Sequence, residues 1–314
     1  MTKTKNSWFI IVNPHAGSGK TMKEWPAGQS RLDELGIHYN AVLTSHRTHA
    51  TTLAYFAASK GYRRILGVGG DGTIHEIFNG ILKWCSENGT DPGEFYTGVA
   101  PIGSGNDWIK AFDIEKDVVA VADLIGKESF AQEDVVKVEL SDEKVCYMAN
   151  IGGIGFDSHV CEIVNRQKAA GRRSKMIYAN ALRRTMFSLR AINLQILADG
   201  KEVHNGPCLS IALGNGKYSG SGMCQVPLAE INDGILDALI VPKLPLTTML
   251  KEVKRIFGHN IHESEHVKYV RCKTLEIIPL DARSKDIVEV DGEIEGMLPA
   301  KISITGSKIN ALTW

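Results

Sequence analysis

The sequence predicts a parallel-sheet α/β domain followed by a mostly antiparallel β-sandwich domain. Three observations predict it. Over the first 130 residues short apolar runs alternate with stretches of helical spacing, a pattern that builds a parallel sheet with helices on both faces. From about Asp134 convincing helices become few and strand-like runs follow one another. Glycine accounts for 31 of 314 residues, and the excess gathers at the ends of the early strands, where the ligand site of such a sheet lies. The expected domains are residues 1–130 and 131–300, with 300–314 available to complete the first.

Taken in order, Ser7–Val12 is an apolar run stopped by Asn13-Pro14 and reads as a buried strand. Thr21–Leu35 suits a helix made irregular by Pro26 and Gly28. Tyr39–Leu43 is a second strand, and Thr48–Ser59 carries Leu53, Phe56 and Ala57 at helical spacing. Arg64–Val68 is a third strand, followed by a helix over Ile74–Leu82 with Ile74, Ile77, Phe78 and Ile81 on one face. Thr97–Ile102 is a fourth strand, with a further helix from about Asn106. In the second half, Val135–Leu140, Val145–Ile151, Ile192–Ala198, Cys208–Leu213, Ile235–Val241, Thr274–Pro279 and Ile287–Val290 read as strands. Lys175–Leu189 and Leu246–Phe257 read as helices, and the strand Lys301–Ile304 can return to either domain.

Charge excludes some functions. The chain has 36 Lys+Arg against 36 Asp+Glu, without the basic excess of a dedicated nucleic-acid binder, so no nucleic-acid partner is expected. The balance hides a cancellation: residues 163–198 contain eight basic residues, Arg166, Lys168, Arg172, Arg173, Lys175, Arg183, Arg184 and Arg190, and no acid. With interleaved apolar residues, that stretch suits either a solvated helix or a surface that meets anionic lipid. Six cysteines without a C-x-x-C pair indicate reduced thiols in the cytoplasm. The five apolar residues after the polar N-terminus are too few for a signal-peptide core, and no run approaches the ~20 residues that span a bilayer. The expectation is a cytoplasmic protein, at most peripheral to a membrane.

Three strand ends carry the chemistry. Asn13-Pro14-His15-Ala16-Gly17-Ser18-Gly19-Lys20-Thr21 has the tail of a P-loop, but Pro14 stands where that motif needs its first Gly. Small residues there still let backbone N–H groups approach a phosphate. In Gly69-Gly70-Asp71-Gly72-Thr73-Ile74-His75-Glu76, three glycines surround a carboxylate, more than a plain turn needs. Thr73 and Glu76 have the spacing of a capping box. Asp71 has no such ordinary task, and an acid beside phosphate-cradling amides is tolerable with Mg²⁺ between them. Gly103-Ser104-Gly105-Asn106-Asp107 repeats the pattern, although Asn106 and Asp107 also suit a helix cap.

These motifs resemble the diacylglycerol kinase catalytic-domain family, which includes bacterial lipid kinases and sphingoid-base kinases. The resemblance rests on Gly69 to Thr73, which is shared with NAD kinases and related to a phosphofructokinase motif. It rests further on Asn13-Pro14 with Gly17, and on Gly103 to Asp107. In the second domain Asn150 to Asp157, Asn232-Asp233-Gly234 and Asp291-Gly292-Glu293 extend it, so that it covers roughly residues 7 to 305. It implies a first domain like that of NAD kinase and phosphofructokinase, and an ATP- and Mg²⁺-dependent lipid kinase. Asn13, Thr44, Gly70, Asp71, Gly72, Thr73, Ile74, His75, Glu76, Gly103, Ser104 and Asn106 would form the ATP site. Asp71, Asp107 and Asp134 would surround the phosphates and the catalytic Mg²⁺, and Glu293 would be the general base. A second, structural Mg²⁺ would be held by Asp233 with the backbone carbonyls of Glu230 and Ile235. The implied acceptor is a lipid at the membrane surface, most simply diacylglycerol, and a homodimer stays open. Ser104 and Asp107 lean towards different branches of the family, which leaves the lipid undecided. A NAD or other small-molecule kinase, and a catalytically silent lipid- or nucleotide-binding protein, are the competing readings.

Overall fold

The computed structural model describes residues 6–103, 105–169, 176–188, 190–220, 222–281 and 286–314. Two compact units divide the chain: residues 1–135 with 306–314, and residues 136–305.

In the first unit β1 (Trp8–Val12), β2 (Tyr39–Leu43), β3 (Arg64–Gly69) and β4 (Tyr96–Pro101) form a parallel sheet. Helices α1 (Thr21–Glu34), α2 (His49–Ser59) and α3 (Asp71–Asn88) connect them, and α4 (Val118–Lys127) follows the last. β1 and β3 are apolar along almost their whole length and buried, as strands covered on both faces must be. Strand order is β4-β3-β1-β2. The chain therefore moves one way from β1 to β2 and the other way from β3 to β4, which opens a crevice beyond the strand ends. Right-handed crossovers put α2 and α3 on one face and α1 on the other. α2 packs on α3, and α1 on α4.

The segment after β4 differs from the single helix expected from Asn106. Asn106 has φ +54°, so the chain turns there. A 3-10 turn over Trp108–Phe112 ends at Asp113, also left-handed. The helix begins only at Val118, where the Asp117 carboxylate accepts the N–H groups of Val119 and Ala120.

β5 (Phe130–Leu140) leaves the first unit and enters the second. There follow β6 (Val145–Met148), β7 (Ile151–Gly155), α5 (Phe156–Ala169), α6 (Met176–Ser188), β8 (Ile192–Ala198), β9 (Lys201–Gly214), β10 (Tyr218–Ser219), β11 (Met223–Cys224) and β12 (Leu236–Pro242). α7 (Leu246–Phe257), β13 (Lys268–Cys272), β14 (Thr274–Pro279), β15 (Ile287–Val290), β16 (Glu293–Met297) and β17 (Ala300–Leu312) complete the chain. Pairing in this unit is antiparallel, in the order β16-β15-β7-β9-β8-β14-β17, with β12 between β9 and β13. The core takes every second residue of these strands: Leu194, Ile196 and Ala198; Leu236, Ala238 and Ile240; Leu275 and Ile277, the period-2 signature of a sheet with one face inward. β17 ends in the first unit, where Asn310 and Ala311 pair parallel with Tyr96 and Thr97 of β4.

A single strand over Val145–Ile151 does not form. The run breaks at Ala149-Asn150 because the Asp291 carboxylate takes the N–H groups of Ala149, Asn150 and Ile151 (2.9, 2.8 and 3.2 Å).

Candidate active site

The glycine-rich turns of the first unit close on one another. The Asn13 N–H donates to the Val68 carbonyl at 2.9 Å, tying the ends of β1 and β3. The Asn13 side chain accepts from the His15 N–H at 3.0 Å and reaches Thr73 Oγ1 at 3.5 Å. Gly70 caps α3 in an extended conformation. A Cβ on Gly103 would stand 2.6 Å from Asn106 Oδ1 and 3.3 Å from the Gly70 Cα, so glycine here lets Asn106 and the two turns pack closely. Asn106 is buried, and its Nδ2 donates to the Gly103 carbonyl at 3.2 Å. Its Oδ1 is buried without a hydrogen-bond partner among the described residues. An orphaned acceptor is costly, and this one fits a ligand that donates, such as a hydroxyl or amino group of a nucleotide. Ser104 lies outside the described residues.

Asp71 joins the second turn to the third. Its Oδ1 accepts the N–H groups of Asp107 and Trp108 at 2.7 and 3.1 Å. Burial pushes its carboxyl above the usual carboxylate range and the charge of Asp107 adds to the rise, while the N–H bonds oppose it. Asp107 is buried, and its Oδ1 accepts from Lys110 Nζ at 2.5 Å. Trp108, fully buried, donates from Nε1 to both oxygens of buried Glu133 at 3.1 and 3.2 Å. Neighbouring strand residues face opposite sides, and Asp134, next to Glu133, pairs instead with Lys308 at 3.4 Å. Among the described residues no three His, Cys, Asp or Glu converge on one metal position. Asp71, Asp107 and Asp134 are thus not one chelate. The set fits a Mg²⁺ that takes most of its ligands from phosphate oxygens and water.

The rest of the α3 motif divides its work. Thr73 and His75 are buried, and Ile74 lies in the core, so Ile74 can offer a ligand only backbone, and its N–H already donates to the Gly70 carbonyl at 3.3 Å. Gly72 extends the first turn of the helix. The expected capping box does not form, because α3 starts at Asp71 and Glu76 turns to another helix. Its two oxygens accept the Thr48 and Ala50 N–H groups at 3.0 and 2.9 Å and so cap α2. Thr44, whose N–H donates to the Val12 carbonyl at 2.8 Å, leads into that capped loop. Glu133 and the Glu76 cap were not legible in the motif, because each finds its partner far along the chain.

In the second unit Asp291 and Gly292 form a two-residue hairpin turn between β15 and β16, with φ +52° and +88°, the geometry that favours Asp-Gly. Glu293 opens β16 opposite Val290 and is half-buried. The Gly292 carbonyl accepts from Cys161 Sγ at 2.9 Å and Asn165 Nδ2 at 3.0 Å, which ties α5 to the turn. The Asp157 carboxylate, at the start of α5, accepts from Gln225 Nε2 at 2.7 Å and Ser210 Oγ at 3.0 Å, and burial pushes its carboxyl up.

The expected structural metal site has a different occupant. Asp233 Oδ1 accepts the Ile235 N–H at 3.0 Å, and the Glu230 carbonyl accepts the Asp233 N–H at 3.4 Å. The other Asp233 oxygen is held by the Arg271 guanidinium, whose Nε lies 3.3 Å from Oδ1 of fully buried Asp237. A guanidinium already supplies the positive charge, so this donor set does not fit a divalent ion.

Comparison with known proteins agrees with this architecture. The model of the diacylglycerol kinase catalytic domain matches residues 7–138, and that of the YegS C-terminal NAD kinase beta sandwich-like domain matches residues 151–313. A diacylglycerol kinase of Mycobacterium tuberculosis is 25% identical over 303 residues, covering 96% of this chain and 93% of its own. A crystal structure of a diacylglycerol kinase from Bacillus anthracis superposes with a TM-score of 0.72 at 20% identity, over 98% of this chain and 97% of that one. Yeast NADH kinase, solved with NADH, superposes with a TM-score of 0.52 at 11% identity, over 98% of this chain and 83% of that one.

Proposed function

The chain belongs to the diacylglycerol kinase catalytic-domain family, with the YegS-type second domain, and on that premise we propose that it transfers the γ-phosphoryl group of ATP to the hydroxyl of diacylglycerol or a related lipid. The observation that carries the proposal is the meeting of the Gly70 and Gly103 turns around Asn106, with Asp71 bonded across them. Backbone N–H groups and the start of α3 suit phosphate oxygens, and Asn106 Oδ1 suits a donor on the nucleoside. Mg²⁺, when bound with ATP, would neutralise charge on the phosphates.

The residues divide the reaction as follows. With ATP and Mg²⁺ bound, Asp71 and Asp107 would hold the metal–phosphate group, directly or through water, and Asp134, which pairs with Lys308, would act only through water. Glu293 takes the proton from the lipid hydroxyl as that oxygen bonds to the γ-phosphorus. The bond to the β–γ bridging oxygen breaks, and ADP leaves. Positioning and charge stabilisation account for most of the rate in such a transfer. The protein would work peripherally at the cytoplasmic membrane face. Among the described residues no helix is long and apolar enough to cross a membrane. The basic segment 163–198, part of which lies outside the described residues, would meet anionic lipid.

Labelled ATP with Mg²⁺, offered against diacylglycerol, phosphatidylglycerol, sphingosine, ceramide and NAD, tests this. Label in a lipid is the expected result. Label in NAD, or in no acceptor, would overturn the proposal.

A further inference from the structure

We infer that α7 is a membrane-docking helix, laid on an anionic bilayer through Leu246, Leu250 and Phe257. The inference rests on the lipid-kinase reading only for the choice of a membrane as partner, and it concerns a different stretch from the basic segment 163–198.

These three side chains are 43, 45 and 58% exposed. At 3.6 residues per turn, positions 246, 250 and 257 fall within about 40° of one another, so they form one stripe along the helix. The helix is anchored by a different face. Ile256 packs against a core of Ile151, Ala212, Val226, Ala229, Leu239 and Ile261, and Glu252 is buried. Folding thus leaves the stripe in water, where exposed apolar groups in a row mark an interaction surface.

Charge agrees with that choice of partner. Lys254 is exposed about 40° from the stripe, Lys251 is exposed further round the helix, and Lys243 is exposed just before it. Glu252, the one acid between residues 243 and 258, is buried and lies 3.7 Å from Arg255. The exposed charges of this stretch are therefore positive. Apolar residues flanked by lysines make an interfacial helix, which buries Leu and Phe at the acyl boundary while the ammonium groups meet anionic headgroups. A protein partner would need only the stripe; the lysines favour lipid phosphate.

Vesicle partitioning tests this without nucleotide or diacylglycerol, so its outcome is separate from that of the kinase assay. The intact protein should sediment with vesicles of phosphatidylglycerol and phosphatidylcholine, and less with phosphatidylcholine alone. Leu250→Glu with Phe257→Glu should reduce binding roughly tenfold or more, with an unchanged melting temperature. Lys251→Glu with Lys254→Glu should remove much of the salt-sensitive part. Should the first pair fail to fold, Leu250→Cys carrying an environment-sensitive dye serves instead, and its emission should shift to the blue on anionic vesicles. Unchanged partitioning of a folded Leu250/Phe257 variant, or an unshifted dye, would overturn the inference. So would a change of oligomeric state with vesicle binding intact, which would make the stripe a contact between copies.

Discussion

Glu76, on the second turn of α3, accepts the backbone N–H groups of Thr48 and Ala50 and so fixes the loop that begins at Thr44. Both oxygens are committed to that loop. An effect of Glu76 on ATP should therefore pass through the loop and not through direct contact. Glu76→Gln replaces one acceptor oxygen by an NH₂ group that faces a donor. Hydrogen bonds to charged groups contribute about 1.5–3 kcal/mol, so kcat/KM for ATP should fall roughly tenfold, mainly through KM. Glu76→Asp should recover part of it. Steady-state kinetics beside a melting curve checks this: an unchanged KM in a folded Glu76→Gln enzyme would rule the positioning role out.

The Arg271 guanidinium between Asp233 and Asp237 makes a prediction about metal removal. Without nucleotide, the melting temperature should be the same in EDTA and in Mg²⁺. Arg271→Met leaves buried Asp237 without its cation, a loss of about 2–3 kcal/mol for a partly exposed pair, or roughly 5 °C or more. Mg²⁺ should then restore part of the stability, because two carboxylates are left facing the vacated position. A wild-type midpoint that drops in EDTA and recovers with Mg²⁺ would contradict the guanidinium assignment.

β1, β3 and β4 were legible because they are apolar runs that end at or close to glycine or Asn-Pro, and these features are local. Several strands of the second unit followed from their apolar runs for the same reason. Three of the misses share a cause, a distant carboxylate that redirected local preference, whereas α5, β13 and β16 were not read as elements at all. Asp291 broke the run expected over Val145–Ile151, and Asp71 held the chain after Asn106 in a turn where a helix was expected. Glu76 was spaced to cap its own helix and instead caps α2. The Asp233 motif was equally visible in sequence, but its partner Arg271 is 38 residues away, and no spacing rule links them.

The tie between Cys161 and Gly292 exposes the Asp-Gly-Glu turn to chemical modification. Burial pushes the thiols of Cys85, Cys208 and Cys272 up to about 12, so their reactive thiolate is scarce at neutral pH. Cys161 is half-buried and donates to the Gly292 carbonyl. N-ethylmaleimide should react first at Cys161, displace the turn that presents Glu293 and inactivate the enzyme. Cys161→Ser should resist. Glu293→Gln should bind ATP–Mg²⁺ normally and lose turnover about a hundredfold or more. Peptide mapping alongside residual activity decides the first point: inactivation that persists in Cys161→Ser would move the reactive thiol elsewhere.

Asp157 makes the pH dependence of stability testable. Burial raises its carboxyl, and the two contacts that oppose the rise, Gln225 and Ser210, are neutral. The folded chain therefore keeps this proton to a higher pH than the unfolded chain does. A carboxyl raised in the folded state contributes stability that is complete below the ordinary aspartate range and is lost as pH rises through the raised value. Asn at this position keeps the shape: its oxygen can accept from Gln225, and its NH₂ can donate to Ser210 Oγ, whose own proton has the Ile154 carbonyl at 3.3 Å. Denaturant midpoints from about pH 4 to about pH 7 should show Asp157→Asn gaining on the wild type as pH rises. A difference between the two that stays flat across that range would show that the carboxyl titrates alike in both states.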